Sequence, residues 1–256
     1  MIKAVFFDID GTLFSHSKSQ VNDSVRDALY SMHKKGILLF IATGRSRREL
    51  LNIHLDELPF DGYVALNGAL CYDRDWNVIY RNPIPVSDME AVQVLYDRKE
   101  IPVIVTQEDS SCANYMTKKI EEGYSRILLP IPQVKELSQE PAYQVTIHNE
   151  DQFVKEVLKT MPNCTSISWH GVCSDIIPLS GGKDKGLQAM MACFDLKKEE
   201  VMAFGDGDND AVMLEAAGIG IAMGNGTAQA KAAADYVTAH IDEEGLVKAL
   251  IKFELL

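Results

Sequence analysis

The sequence predicts an α/β protein, a doubly wound parallel-sheet (Rossmann-like) core interrupted by an inserted α+β domain. Three observations carry this. At both ends of the chain, apolar runs that stop abruptly at polar residues alternate with stretches of helical spacing. The pattern changes at Asn82-Pro83-Ile84-Pro85, where two prolines read as a linker, and stays mixed as far as Pro178. After Ser180-Gly181-Gly182, a second joint, the first pattern resumes. The expected domains are therefore residues 1–82 (core, first part), 83–180 (insert) and 181–256 (core, second part).

Residues 2–7, broken only by Lys3, read as a strand buried on both faces. Asp8 and Asp10 follow with one residue between them, so strand alternation starts them on the same side. Gly11 permits the sharp turn that follows. Residues 21–35 set Val21, Val25, Ala28, Leu29 and Met32 at helical spacing, with Asn22, Asp23 and Ser24 as caps and Gly36 as the stop. Residues 37–42 are a second apolar strand ending at Thr43-Gly44-Arg45, and Ser46 caps a helix through residue 53. Strand, helix, strand in this order implies a parallel unit, which brings Thr43 to the same sheet edge as Asp8. A third strand, residues 62–66, ends at Asn67-Gly68, and residues 70–80 form a hairpin turning near Asp73-Arg74-Asp75.

In the insert, helices are expected over 87–99 and 150–161. Strands are expected over 103–106, 127–131, 142–147, 165–169 and 172–177, the last two joined through His170-Gly171 in an open antiparallel sheet. Beyond it come a helix over 184–194 and a strand over 201–204 that runs into Gly205-Asp206-Gly207-Asp208-Asn209-Asp210. A short helix over 211–217 and a strand over 219–223 follow, the latter ending at Gly224-Asn225-Gly226. Thr227 caps a helix over 228–234, and residues 236–238 close the sheet.

Three strand ends thus carry polar groups: Asp8/Asp10, Thr43-Gly44 and Asp206/Asn209/Asp210. In an open parallel sheet the ligand crevice lies outside the carboxyl ends of the strands. Gathering these carboxylates there is costly unless something neutralises them, and without a cation one or more would take up a proton. Mg²⁺ fits, because it prefers hard oxygen ligands and leaves room for a phosphoryl oxygen. Other readings fail by position. An EF-hand loop starting at Asp206 would need glycine and glutamate where Ala211 and Ala217 stand. A Walker loop at Gly182-Lys183 has Asp184 in place of Ser or Thr, and Ile177 where its first glycine belongs.

The bulk numbers narrow the field. The 256 residues are 46% hydrophobic, enough for a sizeable core, and carry a formal net charge of −12. That charge argues against tracking a nucleic-acid backbone or docking on anionic lipid. Five dispersed cysteines without CxxC spacing suggest reduced thiols and a cytoplasmic setting. Met1-Ile2-Lys3 leads straight into the first strand, leaving no room for a signal peptide, and no apolar run approaches transmembrane length.

Asp8-Ile9-Asp10-Gly11-Thr12, Thr43-Gly44-Arg45, Lys183 and Gly205-Asp206-Gly207-Asp208-Asn209-Asp210 resemble the four ordered motifs of the haloacid dehalogenase (HAD) superfamily. Within it, the chain resembles the Cof-type sugar-phosphatase subfamily, including at Asn67-Gly68-Ala69 and Ala222-Met223-Gly224-Asn225. The resemblance implies a HAD core with an α+β cap as the insert. It implies a Mg²⁺-dependent phosphomonoester hydrolase acting on a small phosphorylated metabolite, with specificity set by cap residues that follow no motif. Asp8 would be the nucleophile, forming an aspartyl-phosphate, and Asp10 the general acid and base. Asp8, the backbone carbonyl of Asp10 and Asp206 would bind Mg²⁺. Thr43, the backbone N–H groups near Ile9 and Gly44, Lys183 and Asn209 would hold the phosphate. Asp210 would orient Lys183 or bind through a metal-bound water.

Alternatives stay open at this point. Thr43 could cap a helix, Lys185 could replace Lys183, and Arg45 could be a structural ion-pair partner or a substrate ligand. Trp169, Tyr115 and Met116 could face substrate or pack in the insert. A phosphomutase of the same superfamily and a catalytically silent phosphate-binding protein are the rival functions. A monomer or weak homodimer without nucleic-acid or membrane partners is expected.

Overall fold

Ala4–Phe7 forms a strand with all four residues buried, and it has parallel neighbours on both sides. The computed structural model describes residues 1–15, 17, 20–169 and 172–256. The chain divides into two compact units. One comprises Met1–Gly44, His54–Tyr80 and Gly182–Leu256, and the other comprises Arg45–Ile53 and Arg81–Gly181.

Among the described residues, the first unit is built on an eight-stranded sheet. In spatial order its strands are Tyr236–Val237, Ile219–Ala222, Val201–Gly205, Ala4–Phe7, Leu38–Ala42, Gly62–Ala65, Leu70–Asp73 and Val78–Arg81. The pairings from Tyr236–Val237 through Gly62–Ala65 are parallel, and Leu70–Asp73 returns antiparallel. Phe7 lies level with Phe204 on one side and Ile41 on the other. That register brings Asp8, Thr43 and Asp206 out at one edge. Phe6 stacks on Phe40 with centroids 4.6 Å apart, and Phe7 on Phe204 at 5.4 Å. Burying each such ring contributes about 1.5–3 kcal/mol, so the edge stands on a buried aromatic layer.

The expected elements of this unit form, with boundaries shifted by a residue or two. The first helix is Asp23–Lys34, stopped by Gly36 in the left-handed region. The short antiparallel pair Phe14–Ser15 and Gln20–Val21 was not anticipated. Nor was the helix Gly245–Lys252, although Leu246, Ala249 and Leu250 are at helical spacing and buried.

One junction decides where a later helix starts. Gly68 has φ +87°, and a Cβ placed there would lie 2.0 Å from the Gly182 carbonyl oxygen. A Cβ on Gly186 would lie 3.0 Å from the Cα of Gly68. The turn after Gly62–Ala65 therefore packs backbone to backbone on the first turn of the helix Lys183–Cys193. Gly68→Ala is expected to destabilise the protein by about 2 kcal/mol or more, since it adds both a strained backbone and a clash with main chain. An unchanged denaturant midpoint would contradict this.

In the second unit, six strands among the described residues run in the order Gln133–Val134, Ser111–Ala113, Val103–Gln107, Ala142–Ile147, Cys173–Pro178, Cys164–Trp169. Pairing is antiparallel except between the first two. Val92 and Tyr96 of the helix Val86–Arg98 and Val154 of Asp151–Leu158 pack on Val103, Val105, Val145, Ile147 and Ile176. The strand expected over 127–131 does not form. Residues 127 and 128 turn, with Leu128 at φ +58°, and Pro130 and Pro132 supply no N–H for a ladder. The unforeseen helix Lys118–Arg126 ends just before them, capped at its start by the Thr117 hydroxyl accepting from the Ile120 N–H at 3.3 Å. The turn expected at His170-Gly171 lies outside the described residues.

Residues 45–53 also depart from the expected division, because they belong to the second unit. Ser46 and Glu49 close a capping box on the helix Arg47–Asn52. The Asn52 amide then donates to the Leu128 carbonyl at 2.9 Å. Among the described residues, no helix is long and apolar enough to cross a membrane.

Candidate active site

The loop after Ala4–Phe7 is wound around one carbonyl. The Ile9 oxygen accepts from the N–H groups of Thr12, Leu13 and Phe14 at 3.2, 3.0 and 2.7 Å. Gly11, at φ +96°, makes the reversal possible, and a Cβ there would lie 2.2 Å from Asp206 Oδ2. The loop can therefore lie directly on Asp206 only with glycine at this position. Asp8 is buried, and its N–H donates to the Phe204 carbonyl at 2.9 Å. Asp10 is half-buried and forms a bridge with Phe14.

The second loop, residues 205–210, is closed by Asp210. Its Oδ2 accepts from the N–H groups of Asp206 at 2.9 Å and Gly207 at 2.8 Å. Its Oδ1 accepts from the Lys183 ammonium at 2.5 Å. The same ammonium donates to Asp8 Oδ1 at 2.6 Å. Lys183 is only 1% exposed and opens the helix Lys183–Cys193. Three segments far apart in sequence thus meet at one nitrogen. Lys185, by contrast, is exposed and pairs with Asp184 at 3.2 Å.

The carboxylates of Asp8, Asp206 and Asp210 each place an oxygen within 4.8 Å of the others. Three carboxylates thus crowd around one ammonium, Asp8 and Asp210 buried and Asp206 half-buried. The electrostatics follow. Burial raises the Asp8 carboxyl well above its usual range, and Asp210 and Asp206 add to this against the opposing pull of Lys183. Burial, then Asp210, raises Asp206 to about 6, although the Thr12 hydroxyl, donating at 2.9 Å, favours its ionised form. Burial alone would lower the Lys183 ammonium, but Asp210 and Asp8 outweigh it and hold it raised. An all-oxygen donor set with excess negative charge suits a hard divalent cation such as Mg²⁺.

The other residues singled out in the sequence fall as follows. Thr43 is 1% exposed, with its N–H on the Val64 carbonyl at 2.8 Å, and Gly44 is half-buried beside it. The Asn209 amide donates to Asn67 Oδ1 at 3.0 Å. Asp208 is exposed. Arg45 belongs to the second unit, where it donates to the Ile127 carbonyl at 3.1 Å. The Trp169 indole donates to buried Asp175 at 2.7 Å, within the second unit. Tyr115 and Met116 are half-buried.

Two supports were not assigned from sequence. Thr12 holds Asp206, as above. Asn225 donates to the Gly11 carbonyl at 2.8 Å and approaches Asp206 Oδ2 at 3.4 Å, while its own oxygen accepts from the Ile241 N–H at 2.9 Å. The available signal was its place after a strand, between two glycines.

Comparison with known proteins gives concordant matches. The family profile described as haloacid dehalogenase-like hydrolase matches residues 5–250. A protein of Bacillus subtilis (strain 168) named "Putative phosphatase YkrA" is 31% identical over 99% of this chain and 98% of its own length. The structure of the HAD phosphatase BT1666 from Bacteroides thetaiotaomicron superposes with a TM-score of 0.90 at 33% identity, covering 100% of this chain and 96% of that one. The HAD subclass IIB sugar phosphatase BT4131 superposes with a TM-score of 0.87 at 34% identity, covering 99% and 100%.

Proposed function

The chain belongs to the haloacid dehalogenase-like hydrolase family and is a phosphatase of that superfamily, and from this premise we propose that it hydrolyses a small sugar phosphate with Mg²⁺, through an aspartyl-phosphate on Asp8. The observation that carries the reading is the Lys183 ammonium shared by Asp8 and Asp210, with Asp206 in reach of both. The sugar class is supported by the subclass IIB sugar phosphatase at 34% identity over nearly the whole chain.

In this mechanism an Asp8 oxygen attacks phosphorus while the bond from phosphorus to the sugar oxygen breaks. Asp10 gives its proton to that leaving oxygen. The Asp10 carboxylate then takes a proton from water as the water oxygen attacks phosphorus. The bond from phosphorus to Asp8 breaks, releasing inorganic phosphate and returning Asp8 to its carboxylate and Asp10 to its acid form. Lys183 balances charge on Asp8 and, with Thr43, Asn209 and the N–H groups near Ile9 and Gly44, holds phosphate oxygens. Asp8, Asp206 and the Asp10 carbonyl would hold Mg²⁺ beside Asp210, and when bound it supplies charge stabilisation for the transferring group.

A phosphate-release screen over phosphorylated metabolites tests this. Turnover of one or more sugar phosphates is expected with Mg²⁺, and a fall to background with chelator. Release restored only by a bisphosphate activator, with the phosphoryl group returned to sugar, would assign a mutase instead. No release from any member of the panel would remove the proposal.

A further inference from the structure

We propose that Asn67 is a positioning residue that aims the Asn209 amide and sets Thr43 and Lys183 relative to one another. The proposal rests on the phosphatase reading above and gives a role to a residue outside the four motifs that carry the catalytic assignments. Asn67 is fully buried and sits in the left-handed region, φ 52° and ψ 37°, just past the strand Gly62–Ala65. Polar contacts tie it to three different segments. Its N–H donates to the Thr43 carbonyl at 2.9 Å. Its carbonyl accepts from the Gly182 N–H at 3.1 Å, one residue before Lys183. Its side-chain Oδ1 accepts from Asn209 Nδ2 at 3.0 Å.

The chemistry of the last contact gives it direction. A carboxamide can present either its oxygen or its N–H₂ to a ligand, and a phosphate oxygen needs a donor. An acceptor from Asn67 holds the nitrogen side of Asn209 in place, with one N–H engaged and the second left to donate elsewhere. The two backbone contacts work on position instead. They tie the ends of the Thr43 and Lys183 segments to one residue, at the junction where Gly68 and Gly186 already bring main chain against main chain. Asparagine suits the place because it tolerates the left-handed region and still offers an acceptor. Donors that must meet developing charge lose effect with small displacements, so such a residue acts without touching substrate.

Asn67→Gly separates the two parts. Glycine accepts the same backbone angles and keeps both main-chain bonds, but removes Oδ1. With Mg²⁺ and a sugar phosphate that the wild type turns over, Asn67→Gly is expected to lower kcat/KM by about tenfold, and Asn209→Ala by about 100-fold. In the double variant, Asn67→Gly should add no more than about a twofold further loss, because its partner is gone. The same factor in both backgrounds, or wild-type activity in Asn67→Gly, would overturn the proposal. A second readout does not depend on turnover. The Asn209 side-chain amide signals, identified by their loss in Asn209→Ala, should show slowed hydrogen exchange in the wild type and lose that protection in Asn67→Gly. Unprotected signals in the wild type, or protection unchanged by the substitution, would overturn it as well. A wild type that releases no phosphate would remove the proposed function, while the amide exchange still decides whether Asn67 holds Asn209.

Discussion

Asp8→Asn is expected to abolish phosphate release, by more than about 10⁴-fold, in the range that loss of a covalent nucleophile produces. The amide is nearly the same size and can keep the Asp8 N–H bond to the Phe204 carbonyl, so packing at the sheet edge survives. Its nitrogen cannot attack phosphorus, and its remaining oxygen is a poor nucleophile. The fold should be retained or strengthened, because one of the carboxylates crowded around the single Lys183 ammonium becomes neutral while Asp210 still pairs with it. The check is release from an aryl phosphate together with a denaturant midpoint. Turnover within tenfold of wild type in Asp8→Asn would end the nucleophile assignment.

Lys183→Ala is expected to fail twice, in catalysis and in stability. The ammonium is 1% exposed and sits 2.6 Å from Asp8 and 2.5 Å from Asp210. Removing it leaves two carboxylates side by side in a buried place, and breaking a buried pair on one side costs about 3–5 kcal/mol. The loss should depend on pH. Burial and Asp210 already raise the Asp8 carboxyl, and Lys183 is the charge that opposes them. Without Lys183 the folded-state pKa of Asp8 rises further above its unfolded value. A group raised in this way favours folding below its unfolded pKa, and that contribution is lost as pH climbs through the folded pKa. In chelator, the stability deficit of Lys183→Ala should therefore be larger at pH 8 than at pH 5. An equal deficit at both would show that Lys183 does not compensate Asp8. Activity with Mg²⁺ should fall by about 10³-fold, from loss of a charged donor at the phosphoryl group.

The residues that seed this site were legible because they interrupt apolar runs. Asp8, Thr43 and Asp206 stand just past strands of four or five apolar residues, and parallel order alone puts such positions at one edge. Lys183 was harder to read. It lies on a helix after the insert, and nothing local separates it from Lys185 two residues on. The structure distinguishes them by burial, since one is sealed against Asp8 and Asp210 while the other lies exposed on Asp184. Residues 127–131 misled because an apolar run was read as a strand, although Pro130 and Pro132 had removed the donors that a ladder needs. Residues 45–53 join the second unit through the Asn52 bond to Leu128, a contact between segments 76 positions apart that carries no local signature.

By itself, then, the amino-acid sequence determined the alternation of buried strands and helices and which carboxylates stand at strand ends. Each of those depends on near neighbours: alternation, caps, glycine turns and runs of apolar side chains. Only the tertiary structure decided that Lys183 bridges Asp8 and Asp210, that Thr12 and Asn225 hold Asp206, and that Asn67 ties three segments together. Those choices come from burial and from charges brought close by strands that pair across more than a hundred residues, where distance in space bears no relation to distance along the chain.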